Sequence, residues 1–218
     1  MTLATVRARV ADQDELRMVA LPVAYRAADG DTPPRLEGYA AMFDTWTQIG
    51  DGSWGFMESI APGAFARSLG EDDIRACFNH DANFVLGRTS AKTATFTEDA
   101  KGLRAVILPP DTMCGRDVVS LIQRGDVTGM SFMFHVRKDE WTEGEDGELP
   151  TRRLLDVKLY EAGPVTFPAY EETSIAARDR ATAMREARRV AVPDPDVLAR
   201  RRQADRLAFE LAVAAIEL

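Results

Sequence analysis

Short apolar segments separated by turn residues run through most of this chain, and they constrain the fold more than any other feature. A typical one is Asp126–His135, DVTGMSFMFH, where Val, Phe and Met surround a serine as in a half-buried strand. Glycine, proline and acidic clusters interrupt the segments at close intervals. Further strands are predicted near residues 16–25 and at 36–46, 56–60, 74–79, 84–87, 92–97, 103–108, 152–161 and 164–168.

Helical signals are few in this part of the chain. Residues 61–69, APGAFARSL, should begin a short helix with Pro62 in its first turn. A second helix should run from a cap at Thr112, or at the residue before it, to Gly125. Residues 48–55 are expected to form a Gly-rich turn. The predicted fold is mainly β with one or two flanking helices (α+β), a barrel that is closed or nearly closed.

The chain divides into three parts by composition. Residues 1–34 end in the loop signal GDTPP and are expected to form a loosely ordered arm, while residues 35–170 form the β body. Residues 171–218 are dense in Ala and Arg, which predicts a helical C-terminal tail. In the last helix apolar residues recur at helical spacing at Leu207, Leu211, Ala214 and Leu218. This stripe packs on the barrel or docks on a partner, and both interpretations stay open.

The charge balance and the rare residues exclude several classes of function. The formal net charge of −8 argues against a general nucleic-acid binder. No apolar run approaches the roughly 18–20 residues of a membrane span, and the N-terminus lacks the apolar stretch of a signal peptide. With two cysteines and two histidines, neither a disulfide framework nor a metal or cofactor site is expected. We therefore expect a reduced, cytosolic protein.

Ser131 is the first candidate for chemistry. Gly129, two residues earlier, would let another backbone approach closely or would form a bulge that aims the next side chains. A serine hydroxyl in such a strand can act as a nucleophile if a base from elsewhere in the chain reaches it. The alternative is that Ser131 is a small residue that merely fills the sheet.

Two histidines are available as that base. His135 lies four residues after Ser131 on the same predicted strand, so at about 3.3 Å per residue their backbones are about 13 Å apart. It is therefore expected on the sheet surface. His80 follows a different strand, and folding can bring it beside Ser131. A structural role for His80 is the alternative.

The base needs an acid that orients it. One face of strand 152–161 carries Leu155, Val157, Leu159 and Glu161. An ionised carboxylate on an apolar face is costly unless it is paired, so Glu161 is preferred to Asp156, which lies on the polar face. Asp81 is adjacent to His80 and should point away from it. The alternative for Glu161 is a position at the rim of the sheet.

The cysteines offer a different nucleophile. Cys114 lies near the N-terminus of a predicted helix, where the helix dipole can lower a thiol pKa. Cys77 is three residues before His80, which puts the two on opposite faces of a strand. Both are typical of small core residues, and a cysteine peptidase that uses Cys114 is the weaker alternative.

Several motifs, taken together, resemble those of a known family. In order they are EGYAAMFD, FMESIAPGAFARSL, FNHD with VLGRT, GLRAVILP with SLIQRGDVTGMSFMF, and LYEAGPVTFPAY. Over residues 36–170 this succession resembles the prohead (capsid maturation) proteases of tailed bacteriophages. The resemblance implies a serine endopeptidase related in fold to the herpesvirus assembly proteases, a mostly antiparallel β-barrel flanked by helices.

The same resemblance implies a role for three residues. The base of the family falls on His80, the nucleophile falls on Ser131, and the third member, commonly an acid in phages, falls on Glu161. Residues 162–164, Ala-Gly-Pro, depart from the commoner phage form.

The implied function is cleavage of the scaffold, or of the scaffolding segment of the major capsid protein, and of the protease itself during prohead maturation. The protein would act as a homo-oligomer in the cytoplasm of a bacterial host, inside the immature capsid, encoded by a phage or a prophage. Neither nucleic acid nor membrane is an expected partner. The Ala/Arg-rich tail would direct packaging, hold the assembly or be trimmed off. The alternative is a non-enzymatic capsid assembly or scaffolding factor on a protease-like barrel.

Overall fold

The computed structural model describes residues 3, 6–7, 14–19, 21–51, 54–145 and 148–167. Its strands are β1 (Asp14–Val19), β2 (Val23–Arg26), β3 (Arg35–Met42), β4 (Thr47–Asp51), β5 (Trp54–Ile60), β6 (Arg75–Cys77), β7 (Val85–Arg88), β8 (Ala94–Glu98), β9 (Gly102–Ile107), β10 (Gly129–Thr142) and β11 (Thr151–Val165). Its helices are α1 (Ala66–Glu71) and α2 (Met113–Arg124). The predicted helical tail, 171–218, lies outside the described residues.

The strands form two sheets. The larger has the order β1-β10-β11-β5-β4, and β6 pairs with both β11 and β7. Strand β11 runs parallel to β5 and to β6, whereas it is antiparallel to β10. The smaller sheet has the order β2-β3-β9-β8 and is antiparallel throughout. The larger sheet is therefore mixed.

The prediction of a closed barrel is wrong for the described strands, although a mainly β fold with few helices is confirmed. A barrel requires the last strand of a sheet to pair with the first. The described strands instead form two open sheets, and two of the pairings of β11 are parallel. The error has a physical reason: alternation shows which side chains face a core, but it does not show which strand edges share hydrogen bonds.

The core lies between the sheets and draws on both of them. Leu36 and Leu103 of the smaller sheet belong to the same buried cluster as Phe132 and Leu154 of the larger. Helix α2 adds Val118 from its buried face. Each sheet thus buries one apolar face against the other, which is the usual way to stabilise a two-layer domain.

Local signals located the helices and one hairpin well. Thr112 caps α2 by accepting a hydrogen bond from the Gly115 N–H at 3.2 Å, and Gly125 ends the helix with a φ of 83°, as predicted. Strands β8 and β9 form the predicted antiparallel hairpin. The short helix after Pro62 also forms, but it begins only at Ala66. No helix in the described ranges is long and apolar enough to span a membrane.

The single strand predicted near residues 16–25 forms as two strands, β1 and β2, and a predicted turn also contains a strand. Strand β1 pairs antiparallel with β10, and β2 pairs with β3, so parts of the expected N-terminal arm belong to the two sheets. Strand β4 lies largely within residues 48–55, the predicted turn, and pairs with β5. The glycines of this segment predicted a turn. A strand forms there because it pairs with β5, and the tendency to form a strand depends strongly on such neighbours.

Candidate active site

The residues predicted for chemistry meet at one point of the larger sheet. Ser131 is on β10, Glu161 is on the neighbouring strand β11, and His80 ends the short 310 turn that follows β6. His80 Nε2 lies 2.6 Å from Ser131 Oγ, and His80 Nδ1 is hydrogen-bonded to Glu161 Oε1. All three side chains are buried. The structure thus brings a hydroxyl, an imidazole and a carboxylate into one hydrogen-bonded chain, which can carry a proton away from the serine.

An unusual backbone turns His80 towards the sheet. Asn79 and His80 have φ angles of 53° and 59°, in a region that costs a non-glycine residue about 1–3 kcal/mol and that is concentrated at functional sites. Asn79 Nδ2 donates to Thr166 Oγ1 at 2.9 Å, and Asn79 Oδ1 accepts from the Thr166 N–H at 2.8 Å. These two bonds hold the strained turn against the residue that follows β11, the strand that carries Glu161.

Glu161 enters the site from the buried face of β11. A register shift between Met133 and Phe134 leaves Glu161 opposite Met133 on one side and opposite Arg75 of β6 on the other. Its Oε1 accepts from His80, whereas Oε2 has no hydrogen-bond partner among the described residues. A buried carboxylate is costly unless it is paired, and the hydrogen bond with His80 provides this pairing.

Asp156 and Asp81, which the sequence pattern favours less than Glu161 as the orienting acid, lie outside the site. Asp156 is on the other face of β11, with its Oδ1 3.6 Å from Arg137 Nη1. Asp81 turns outward and accepts from the Asn83 N–H at 2.8 Å. The predicted alternation of β11 is correct at its last residues but wrong at Leu155, which is half-buried while Leu154 is fully buried. Irregular pairing with β10 in this part of the strand changes the buried parity.

Gly163 allows the histidine turn to approach β11. It is paired with Ser131 across the β10–β11 ladder. A Cβ atom at Gly163 would collide with the backbone carbonyl oxygen of Cys77, three residues before His80. Strand β11 continues through residues 162–164, where the sequence departs from the commoner phage form, and glycine there permits the close contact between two backbones.

Ser131 has a second hydrogen-bond partner, on strand β1. Its Oγ lies 2.8 Å from the carbonyl oxygen of Arg17. Met18 is directly opposite Ser131 in the β1–β10 ladder, and Ser131 is 0% exposed. Because a hydroxyl has one proton, Ser131 can donate to Arg17 or to His80 but not to both at once.

The side chain of Arg17 belongs to a buried ion-pair cluster, which consists of Glu15, Arg17, Glu58, Asp139 and Arg152. Arg17 Nε lies 2.5 Å from Glu58 Oε1, and a further nitrogen is paired with Glu15. Arg152 Nη1 donates to Glu15 Oε1 at 2.8 Å, and its Nε donates to Asp139 Oδ2 at 2.7 Å. Burial acts to lower the pKa of Arg17, but Glu58 and Glu15 outweigh it and raise that pKa above its ordinary value.

The remaining candidates lie outside the site. His135 Nδ1 is 3.4 Å from Asp14 Oδ1 and partly exposed, which agrees with the prediction that it lies on the sheet surface. Burial raises the pKa of the Cys114 thiol, and the carboxylates of Asp117 and Asp81 raise it further. A reactive cysteine needs a lowered pKa, so the hypothesis of a cysteine peptidase loses its physical basis.

Sequence reasoning missed three residues that shape the site: Asn79, Gly163 and Arg17. Asn is among the few non-glycine residues that tolerate a positive φ, so the FNHD motif carried a signal for the strained turn. A glycine inside a strand pattern indicates a close backbone approach, and Gly163 could have been found in this way. No local signal connects Arg17 with Ser131, because the two lie 114 residues apart in the chain.

Comparison with known proteins identifies the family to which this chain belongs. The chain matches the family of caudovirus prohead serine proteases over residues 22–187, more than half of its length. The prohead protease of Enterobacteria phage HK97 is 34% identical over 147 residues, which are 65% of this chain and 58% of that protein. The solved structure of the capsid assembly protease of bacteriophage T4 is 13% identical, with a TM-score of 0.44 over 72% of this chain and 98% of the other. On the family match, this chain belongs to the caudovirus prohead serine proteases.

Proposed function

We propose that this chain is a serine endopeptidase in which Ser131 is the nucleophile, His80 is the general base and Glu161 orients the histidine. The observation that carries the proposal is the hydrogen-bonded chain that runs from Ser131 Oγ through the imidazole to the Glu161 carboxylate. A serine hydroxyl is a weak nucleophile, so it needs a base within hydrogen-bond reach. Membership of a serine protease family supports the same chemistry.

The mechanism transfers an acyl group to the serine and then to water. Ser131 Oγ bonds to the carbonyl carbon of the substrate while its proton passes to His80 Nε2. The C–N bond then breaks, His80 gives this proton to the leaving amine, and an ester remains on Ser131. Water attacks the ester and loses a proton to His80, which returns it to Ser131 Oγ as the acid leaves. Glu161 accepts from the Nδ1–H throughout and stabilises the imidazolium.

We infer that the substrate is the major capsid protein or its scaffolding segment, cleaved inside the immature capsid in a bacterial cytoplasm. The family match and the 34% identity with a protein named prohead protease support this inference. Self-cleavage, a homo-oligomeric state and the absence of nucleic-acid and membrane partners belong to the same proposal. So does a fold relationship with the herpesvirus assembly proteases.

Co-expression with the major capsid protein of the same phage or prophage tests the proposal. We expect Ser131→Ala and His80→Ala to abolish its processing, measured by intact mass. His135→Ala is the matched control and should process normally, because His135 is on the sheet surface. Glu161→Gln should slow processing by roughly 10²- to 10⁴-fold, since the amide cannot stabilise the imidazolium as a carboxylate does.

Processing that persists in Ser131→Ala would exclude the serine mechanism. If all of these variants and the wild type leave the capsid protein uncut but support assembly equally, a non-enzymatic assembly factor becomes the better interpretation. The mass of the purified chain, compared with that of Ser131→Ala, tests whether residues 171–218 are removed by self-cleavage.

A further inference from the structure

We propose that the edge of β10 beside Ser131 binds substrate as an extended strand with a basic side chain, and that β1 occupies this site in the present structure. The inference rests on the proposed function, because it takes Ser131 as the nucleophile. Without β1, strand β10 would form the edge of the larger sheet, whose order is β1-β10-β11-β5-β4. Such an edge presents unpaired backbone N–H and C=O groups, which can bind a peptide as an added strand.

Strand β1 meets β10 as a bound peptide would. It pairs antiparallel with β10 along its whole length, with Met18 opposite Ser131. The carbonyl oxygen of Arg17 lies 2.8 Å from Ser131 Oγ, so an amide group of the chain itself is presented to the nucleophile. Ser131 is 0% exposed in this arrangement, and a second peptide can reach it only when β1 moves away. Strand β1 also precedes residues 22–187, the part of the chain that matches the family.

The side chain of Arg17 indicates which type of substrate side chain the site binds. Its Nε and Nη2 donate to the two carboxylate oxygens of Glu58 at 2.5 and 2.8 Å, a bidentate pair. The guanidinium carbon lies 5.4 Å from the centroid of the Phe134 ring, which adds a cation–π contact. Glu58 is 4% exposed and comes from β5, a strand that would remain in place if β1 left.

The charges that remain after departure of β1 also favour a basic side chain. Glu15 and Arg17 leave with the strand, whereas Glu58, Asp139 and Arg152 stay with the sheet. Two carboxylates then face one guanidinium, which is the same excess of one negative charge as in the whole cluster, but Glu58 has lost its bidentate partner Arg17. An uncompensated buried charge is costly, and the arginine or lysine of a substrate peptide would pair with Glu58 and neutralise the group.

A disulfide that fastens β1 to β10 tests whether the strand must move. Asp14 and His135 are cross-strand partners and partly exposed, so cysteines at both positions can be joined. In the full chain with Asp14→Cys, His135→Cys and Cys114→Ser, we expect the rate at which a diphenyl phosphonate labels Ser131 to fall by roughly tenfold or more on oxidation. Reduction should restore the rate. The chain with Cys114→Ser alone is the matched control and should not respond to oxidation.

Equal labelling rates with and without the disulfide would overturn the proposal that β1 occupies the substrate site. This result differs from failure of the proposed function, in which Ser131 would remain unlabelled in the wild type and in every variant, whether oxidised or reduced. In that case the inference would fall together with the function on which it rests.

Two phosphonates that differ in one side chain test the basic pocket. Both compounds carry a side chain on the carbon atom bonded to phosphorus. In one compound this side chain ends in a guanidinium group, and in the other it is a benzyl group. We expect the wild-type chain to react with the guanidinium compound roughly tenfold faster or more, and Glu58→Gln to bring the two rates to about the same value. Glu37→Gln is the matched control, because Glu37 also pairs with two arginines but lies in the smaller sheet.

If the wild-type chain reacted as fast or faster with the benzyl compound, the proposal that the site prefers a basic side chain would be wrong, even if Glu58→Gln failed to fold. A guanidinium preference that survives in folded Glu58→Gln would overturn the assignment of Glu58. Thermal unfolding of each variant, followed by circular dichroism, shows which chains are folded.

Discussion

The position of His80 depends on the side chain of its neighbour. Two successive non-glycine residues with positive φ, Asn79 and His80, persist only where the surroundings impose that backbone. Asn79 is held there by two hydrogen bonds to Thr166. Strain in the turn and the alignment of the imidazole with Ser131 are therefore two consequences of the same local structure.

Two substitutions of Asn79 separate its hydrogen bonds from its backbone angle. Asn79→Ala loses both bonds and replaces asparagine, which tolerates the left-handed region, with a residue that does not, so we expect it to lower the free energy of unfolding by about 2–4 kcal/mol. Asn79→Gly loses the same bonds but tolerates the angle, and should be about 1 kcal/mol less destabilised than Asn79→Ala. Urea unfolding measures both values.

Both variants should also cleave the capsid protein more slowly, because the turn no longer holds His80 against Ser131. Equal destabilisation of the alanine and glycine variants would show that the positive φ costs little at this position. Normal cleavage by both would show that the turn keeps its shape without Thr166.

Strand β11 serves two sites because its partners change along its length. Its first residues, Thr151 to Leu154, run parallel to β5 and contribute Arg152 to the buried ion-pair cluster. Further along, Glu161 is the residue opposite β6 and contacts His80. The register of this single strand therefore places Glu161 beside His80 and Arg152 in the ion-pair cluster that contacts β1.

Gly163→Ala tests the contact between β11 and the chain around Cys77. The added methyl group would meet the Cys77 carbonyl oxygen, and because this is backbone we expect a loss of about 1–3 kcal/mol in the free energy of unfolding. Cleavage should fall as well, since displacement of β6 separates His80 from Glu161.

Gly70→Ala in α1 is the matched control for this substitution. A Cβ at Gly70 meets nothing within 4 Å, so this change should stabilise the helix by about 0.5–1 kcal/mol. If Gly163→Ala behaved like Gly70→Ala, the close approach of the two backbones would not be a requirement of the site.

At the scale of the whole molecule, the buried ion-pair cluster joins four strands of the larger sheet. Glu15 and Arg17 come from β1, Glu58 comes from β5, Asp139 comes from β10 and Arg152 comes from β11. The Arg152 guanidinium also lies 5.2 Å from the centroid of the Trp141 ring. The arginines and carboxylates in such a group depend on one another, because each would be a costly buried charge alone.

Adjacent arginines on opposite faces of β11 test this dependence. Arg152→Met leaves buried carboxylates without their partner, so we expect it to lower the free energy of unfolding by about 3–5 kcal/mol. Arg153→Met is the matched control: Arg153 is 37% exposed and pairs with Asp44 at the surface, so its loss should cost at most about 0.5–1 kcal/mol. Guanidinium chloride unfolding at neutral pH measures both, and similar values would contradict the burial argument.

Candidate residues and local elements could be predicted from the sequence because the signals for them are short in range. Caps at both ends identified α2, and the alternation of the last residues of β11 distinguished Glu161 from Asp156. Strand spacing alone separated His135 from Ser131. These inferences depend on propensity and on the two-residue period of a strand, which act over a few residues.

The tertiary structure alone decided how the strands pair and what surrounds Ser131. The open sheets, the parallel neighbours of β11 and the position of β1 all depend on which strand edges meet. The pairing of Arg17 with Ser131 spans 114 residues, and a local pattern cannot rank one such partner above another. The sequence by itself thus determined which groups could react, whereas long-range hydrogen bonding determined that they meet and that a strand of the same chain contacts Ser131.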